Sequence, residues 1–315
     1  MENGQINFLK EVIKLVNAEF IKKKAIELGA TVCGIGDISH FVGDDPQRNP
    51  LSVLPNAKCI IGFGVKIPYG LVSAMDEGTQ YYNYVNIGVK YIDENFSELF
   101  LLKMAAVIEN EGYDACLQRS NPGMKIKGDK TSNPEVNRVY ELELAEAVSS
   151  DKAIPDVIID YEKAAVVCGF GSIGLHNKVI APKYGTFMRY MFIVTDMPLE
   201  CDEPFTEDLC DKCGLCTKAC PGNAIDDNGV DTWQCSVYYR GAHKSNPFMT
   251  DSFLKDDPDR EKIINGEMRF DKKSAEAIYD KIKFLPNTHF GYVPCLCGRK
   301  CETVCYRHLK EVGKI

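Results

Sequence analysis

The stretch Cys210-Asp211-Lys212-Cys213-Gly214-Leu215-Cys216-Thr217-Lys218-Ala219-Cys220-Pro221 decides how the rest of the chain is read. Its spacing, Cys-x2-Cys-x2-Cys-x3-Cys-Pro, is the ferredoxin-type run for a 4Fe–4S cluster. Three thiolates on a tight loop each take one iron of a cubane. The turn at Pro221 carries the fourth cysteine away, and in two-cluster proteins that cysteine serves the other cluster. Zinc closes with four ligands, commonly two separated cysteine pairs, which is not the form of this run.

One such run leaves each cubane incomplete, and the missing thiolates must come from downstream. Cys235, Cys295, Cys297, Cys301 and Cys305 are available, one more than is needed. Ferredoxin-type crossing assigns Cys210, Cys213, Cys216 and Cys305 to a first cluster, and Cys220, Cys235, Cys297 and Cys301 to a second. Cys295 is an alternative to Cys297, and the spacing alone leaves the two open. The interval Cys297-x3-Cys301-x3-Cys305 departs from the usual x2 then x3, and Tyr306 rather than proline follows the last cysteine. Cys201 is left as a spectator.

The chain has 315 residues and 14 cysteines, and ten of the cysteines lie between Cys201 and Cys305. The other four, Cys33, Cys59, Cys116 and Cys168, sit in or beside apolar stretches and read as core residues. The asymmetry marks a boundary near residue 200. It gives one domain over 1–200 and a second over 201–315, the latter with an insertion at about 240–294. That insertion is charged and partly helical, around Lys273 to Phe284, and reads as a solvated segment, a cover for the site or a partner contact. The hydrophobic fraction of 45% excludes a mainly disordered chain. No apolar run of membrane-spanning length occurs. The opening Met1-Glu2-Asn3-Gly4-Gln5 lacks a basic region followed by an apolar core, and no twin-arginine pair precedes a hydrophobic stretch. The expectation is therefore a cytoplasmic chain with no membrane association, whose cysteines are not disulfides. The net charge of −8 argues against a general nucleic-acid surface without excluding a local basic groove.

In the first region, Phe8 to Leu28 has helical periodicity and stops at Gly29. Thr31 to Ile35, Lys58 to Val65, Ala115 to Leu117 and Met188 to Asp196 read as strands, and Tyr91 to Glu111 as a long helix. Alternating helices and short buried strands predict a mixed α/β domain. Ala164 to Cys168 reads as a further strand. It leads into Gly169-Phe170-Gly171-Ser172-Ile173-Gly174, which has the form G-x-G-x-x-G. A dinucleotide site needs a helix next, but Pro182 and Gly185 cut one short. The turn reads better as a plain tight turn or as a close backbone approach to another flat or phosphate-bearing ligand.

The glycine turn, then Ile180-Ala181-Pro182-Lys183-Tyr184-Gly185, Arg189, Val194 to Leu199, the cluster run, and Trp233 with Cys235 and Tyr238-Tyr239 together resemble the epoxyqueuosine reductase and reductive dehalogenase superfamily. The resemblance runs from roughly Ile21 to Cys305 and is most specific between Gly169 and Cys235. It implies a nitroreductase-like, cobalamin-binding α/β domain followed by a ferredoxin-like two-cluster domain. It also implies electrons passing through both clusters to a base-off corrinoid. Carried over position by position, Gly169, Gly171, Gly174, His176, Gly185, Thr186 and Arg189 would line the corrinoid. A catalytic acid ahead of the glycine turn falls near Asp156 or Asp160, and the dehalogenase-type tyrosine near Tyr84. The tail beyond the last cysteine, Tyr306 to Ile315, is shorter than the tRNA-gripping tail of epoxyqueuosine reductases.

The reading that follows is an oxidoreductase: a cobalamin-dependent iron–sulfur reductase fed by a low-potential donor such as ferredoxin or flavodoxin. Its substrate would be a small molecule or a corrinoid protein, with tRNA a weaker candidate. The alternatives are a reductase that activates or handles a corrinoid, and a two-cluster electron-transfer protein without corrinoid.

Overall fold

The computed structural model describes residues 16–119, 146–155, 157–285 and 293–315. Helix α1 (Ala18–Glu27) is capped by Asn17, whose side chain accepts the Phe20 N–H at 2.9 Å. Strand β1 (Val32–Asp37) follows and pairs antiparallel with β2 (Cys59–Lys66). A π-helical stretch, Tyr84–Phe96, runs into α2 (Ser97–Glu109), so the expected long helix begins earlier and is wider-wound than its periodicity suggests. Strand β3 (Ala115–Gln118), helix α3 (Tyr161–Val167) and strand β4 (Met188–Thr195) complete this part. The four-stranded sheet has the order β1-β2-β4-β3, and every pair in it is antiparallel.

Both faces of the sheet are covered, which is why its strands are apolar at nearly every position. Ile61, Phe63, Met191 and Ile193 face α1 and α2, where Phe63 meets Phe100 edge-on at 5.0 Å. Ile60, Phe192 and Val194 face α3 and the segment around Phe41. This is the two-residue alternation of a strand read on both sides. Cys59 and Cys168 are fully buried in these cores, while Cys33, Cys116 and Cys201 pack at their edges.

Ala164 to Cys168 is helical rather than extended. Asp160 accepts the Lys163 N–H at 3.0 Å, and Glu162 sits in the first turn, so the start signals outweigh the β-prone valines. A short apolar run does not separate helix from strand by period alone. Gly34 and Gly62 are paired across β1 and β2. A Cβ on Gly34 would lie 2.1 Å from the Cys168 carbonyl oxygen, and one on Gly62 would lie 2.7 Å from the Phe170 ring. The glycine pair leaves a depression in the sheet, and the end of α3 with its glycine turn sits in it.

The C-terminal part is built on two helices packed together, α4 (Leu215–Ala219) and α7 (Lys300–Glu311). Between them lie α5 (Thr232–Tyr239) and α6 (Lys272–Tyr279). The segment expected as an insertion is not simply solvated. Phe253, Ile263, Phe270, Ala275 and Ile278 bury themselves against Trp233, Val237 and Tyr238 of α5. Buried Gln234 ties this core to the cluster run: its amide donates to the Gly222 and Met268 carbonyls at 2.6 and 3.0 Å and accepts the Phe270 N–H at 2.9 Å. The chain past residue 200 also folds back on the sheet, where Asp202 pairs with Lys22 at 2.5 Å and accepts the Ile35 N–H at 2.8 Å. No helix among the described residues is long and apolar enough to cross a membrane.

Candidate iron–sulfur centre

The cysteine-bearing loops share one local design. Left-handed Lys212 and Gly214 precede α4, and left-handed Gly298 and Arg299 precede α7. The second pair absorbs the extra residue in the Cys297–Cys301 interval by reversing the chain just before the helix. Cys216 lies on α4 and Cys220 caps its end, while Cys301 and Cys305 lie on α7. In each pair the two cysteines are four residues apart, about 6 Å along a helix and on one face. Each helix therefore presents one thiol to each of two neighbouring groups.

The first group is Cys210, Cys213, Cys216 and Cys305, which line one cavity together with Leu175, His176, Asp211, His308 and Leu309. Burial pushes the Cys305 thiol up to about 12, and the nearness of Cys210, Cys216 and Cys213 adds to it. Cys213 is exposed, and Cys216 is buried. Beside them, His308 Nε2 lies 2.6 Å from an Asp211 carboxylate oxygen, and this contact holds the carboxyl below its ordinary range. The ligand atoms of Asp211, Cys213 and His308 lie within 4.8 Å of one another.

The second group is Cys220, Cys235, Cys297 and Cys301. Burial raises the Cys235 thiol, and Cys297, Cys301 and Cys220 are the thiols that raise it further. Cys301 is pushed up to about 12 by burial, with Arg299 opposing and Cys297, Cys220 and Cys216 adding. That Cys301 senses Cys216, and Cys305 senses Cys301, puts the two groups side by side. Cys295 is fully buried, with its sulfur 3.7 Å from that of Cys297. It packs among Tyr81, Tyr84, Tyr239 and Phe187 rather than with Cys235 and Cys301. Iron binds thiolate, and a positive cluster iron reverses the preference of a buried sulfur for the neutral thiol. Two sets of four soft donors on closely packed loops fit 4Fe–4S clusters.

The glycine-turn positions are engaged by the chain itself. A Cβ on Gly169 would lie 3.2 Å from the Glu203 carbonyl, one on Gly171 2.0 Å from the Ile180 carbonyl, and one on Gly185 2.6 Å from the Tyr306 ring. A Cβ on Gly174 would lie 2.7 Å from the His176 ring. Thr186 donates to the Glu302 carbonyl at 3.3 Å, and the Arg189 guanidinium is committed to fully buried Asp93, with its Nε donating at 3.0 Å. As placed, these positions do not fit a corrinoid cradle.

Of the candidate catalytic residues, Asp156 lies outside the described residues. Asp160 caps α3 and pairs with Arg48 at 3.4 Å. Tyr84 is 1% exposed, within the cluster that holds Cys295 and Cys297. Burial raises its phenol, with Arg299 and Arg189 opposing. Asp93, Gln234 and His308 carry no sequence motif, since long-range packing brings them to the centre, whereas Asp211 and Arg299 lie within the cysteine loops themselves.

A fold of this kind carrying these thiols defines a mixed α/β iron–sulfur protein, and residues 203–226 match the family described as 4Fe-4S binding domain. The curated relatives that match part of the chain are epoxyqueuosine reductases. An epoxyqueuosine reductase of Leadbetterella byssophila is 36% identical over 70 residues, 22% of this chain and 23% of that one. The chain thus matches under a quarter of that relative's length. A structure of epoxyqueuosine reductase with an epoxyqueuosine-modified tRNA-Tyr stem loop aligns over 90% of this chain and 68% of its own, at 15% identity and a TM-score of 0.47. A catabolic reductive dehalogenase in complex with 3-bromo-4-hydroxybenzoic acid aligns over 84% of this chain and 35% of its own, at 17% identity and a TM-score of 0.47.

Proposed function

We propose that the chain is a cytoplasmic iron–sulfur oxidoreductase, a reductase similar to the epoxyqueuosine reductases, holding two 4Fe–4S clusters. Residues 201–315 would form the cluster domain, with 1–200 as the domain that completes the site. One observation carries this reading: α4 and α7 each place one thiol in each of two adjacent groups of four. Bound there, the clusters supply one-electron transfer between a donor and an acceptor.

The chain's own residues give the path a direction. Exposed Cys213 brings the outer group to the surface, where a ferredoxin- or flavodoxin-like donor can approach. The inner group meets Tyr84, Tyr239 and Phe187, which exclude water from its far side. Arg299, half-buried near Tyr84 and Cys295 and paired with Glu302, keeps a positive charge next to the inner thiolates and offsets part of theirs.

The resemblance adds a base-off cobalamin, and the glycine-turn positions do not fit it. Its retention therefore has its own readout. Anaerobic reconstitution with iron and sulfide is expected to give about eight irons per chain, and about four would remove the second cluster. Reconstitution with hydroxocobalamin followed by desalting should leave a corrinoid spectrum on the protein if cobalamin is the acceptor. A colourless eluate in the corrinoid bands leaves the two-cluster electron-transfer reading. Binding of unmodified tRNA, measured by gel shift, should weaken steeply with salt if tRNA is the substrate.

A further inference from the structure

The cavity lined by the outer thiols contains one more buried donor. His176 is 4% exposed, and its ring shares that cavity with Cys210, Cys213, Cys216 and Cys305. Its Nδ1 accepts the backbone N–H of Lys178 at 3.2 Å. A neutral imidazole carries one N–H, and with the Nδ1 lone pair used as an acceptor the proton is on Nε2. Nε2 is buried and has no hydrogen-bond partner among the described residues. The loop is shaped to seat the ring: the missing Cβ of Gly174 would lie 2.7 Å from its Cε1. The last glycine of the G-x-G-x-x-G turn thus makes room for a histidine rather than for a phosphate.

We propose that His176 donates an Nε2–H hydrogen bond to a sulfur of the cluster held by Cys210, Cys213, Cys216 and Cys305, and so raises that cluster's reduction potential above that of the same cluster without the donor. This rests on the two-cluster reading above. Hydrogen bonds to cluster and ligand sulfurs are among the levers that set such potentials. Reduction adds negative charge to the sulfurs, so a fixed N–H in a poorly solvated site stabilises the reduced state more than the oxidised one. His176 is in this sense a tuning residue, fixed by Gly174 on one side and the Lys178 amide on the other.

The test is a potentiometric EPR titration of the reconstituted full-length chain, with its iron content measured first. The outer cluster is identified as the signal that Cys213→Ser perturbs. His176→Phe keeps the ring volume and removes the donor, whereas His176→Gln retains an N–H. The expected result is full iron in the wild type and in both His176 variants, with the outer cluster's reduction constant at least tenfold lower in the Phe variant, which is 59 mV for a one-electron couple. The inner cluster should stay within threefold, and the Gln variant should recover part of the shift. An unchanged outer midpoint with full iron, or equal movement of both midpoints, overturns the proposal. If His176→Phe fails to load iron, Gly174→Ala decides, because it displaces the ring without altering it: a lowered outer midpoint supports the proposal, and an unchanged one overturns it. Wild-type protein that loads only about four irons or none overturns the two-cluster reading instead.

Discussion

The outer and inner thiol groups are built from the same two helices and end in different surroundings. The outer group has an exposed cysteine, an acidic–histidine pair at its rim and a buried imidazole on its wall. The inner group has no exposed cysteine, and its far side meets packed tyrosines and a half-buried arginine. The same set of four thiols thus stands in two environments of unequal access, which under the proposed two-cluster reading is what a directional path needs. The helical i, i+4 spacing fixes the pairing of the groups, and the long-range packing fixes their difference.

The strongest way to break this comparison is to remove one thiolate from each group. Cys301→Ala is expected to lower iron from about eight to about four per chain and to abolish the inner signal, while the outer signal survives. Cys305→Ala should do the reverse. If either substitution empties both groups, or neither, the assignment by crossing is wrong.

The next largest effect comes from the sheet side. Asp93 is fully buried and holds Arg189. Asp93→Ala leaves a buried guanidinium without its carboxylate, which typically costs about 3–5 kcal/mol. A lowered thermal midpoint is expected, with the variant's cluster signals retained at low temperature. An unchanged midpoint would show that the arginine finds another partner.

How much of this was readable beforehand follows from the range of each signal. The ferredoxin run is local: four cysteines and a proline within one loop announce a cluster without any tertiary knowledge. The strands around Ile60 and Phe192 were legible because unbroken apolar runs mark strands covered on both faces. Ala164 to Cys168 has a length and composition that suit either element, and the capping by Asp160 that decides for helix lies upstream of the run. The glycine turn reads as either a plain tight turn or an approach to a ligand because a sequence does not show what fills a missing Cβ. Here it is Ile180 at Gly171, His176 at Gly174 and Tyr306 at Gly185. The insertion was read by its charge, whereas its scattered Phe253, Ile263 and Phe270 converge only in space.

A pH dependence separates the insertion from the sheet. His243 is 2% exposed, and burial pushes its pKa down to about 4, with the nearby Leu296 backbone carbonyl opposing the shift. Its unfolded value is near 6.5, so the unfolded chain binds the proton first. The stability it confers is intact above about pH 6.5 and is lost progressively as the pH falls toward 4, by up to about 3 kcal/mol. Thermal midpoints measured from pH 7.5 down to 4.5 should fall more steeply for the wild type than for His243→Phe. Parallel curves would mean that the ring protonates without disturbing the fold.

The smallest effect concerns membership of the inner group. Cys295 and Cys297 sit close enough to exchange roles on sequence alone, yet Cys295 lies among Tyr81, Tyr84 and Tyr239 while Cys297 is the one that Cys220 and Cys235 sense. If Cys297 is the ligand, Cys295→Ala removes a small buried side chain and no iron, costing about 1 kcal/mol in packing. Full iron with an unaltered inner signal is the expected outcome, and Cys297→Ala should then lose the inner cluster. The opposite pattern, with iron lost on removing Cys295 alone, would move the inner cluster toward the tyrosines and put Tyr84 next to a ligand sulfur. In that case the wall read here as excluding water would be part of the cluster's own environment, and the inner midpoint should respond to Tyr84→Phe. With Cys297 as ligand, the same substitution should move that midpoint less, because Cys295 acts on the Tyr84 phenol more strongly than Cys297 does.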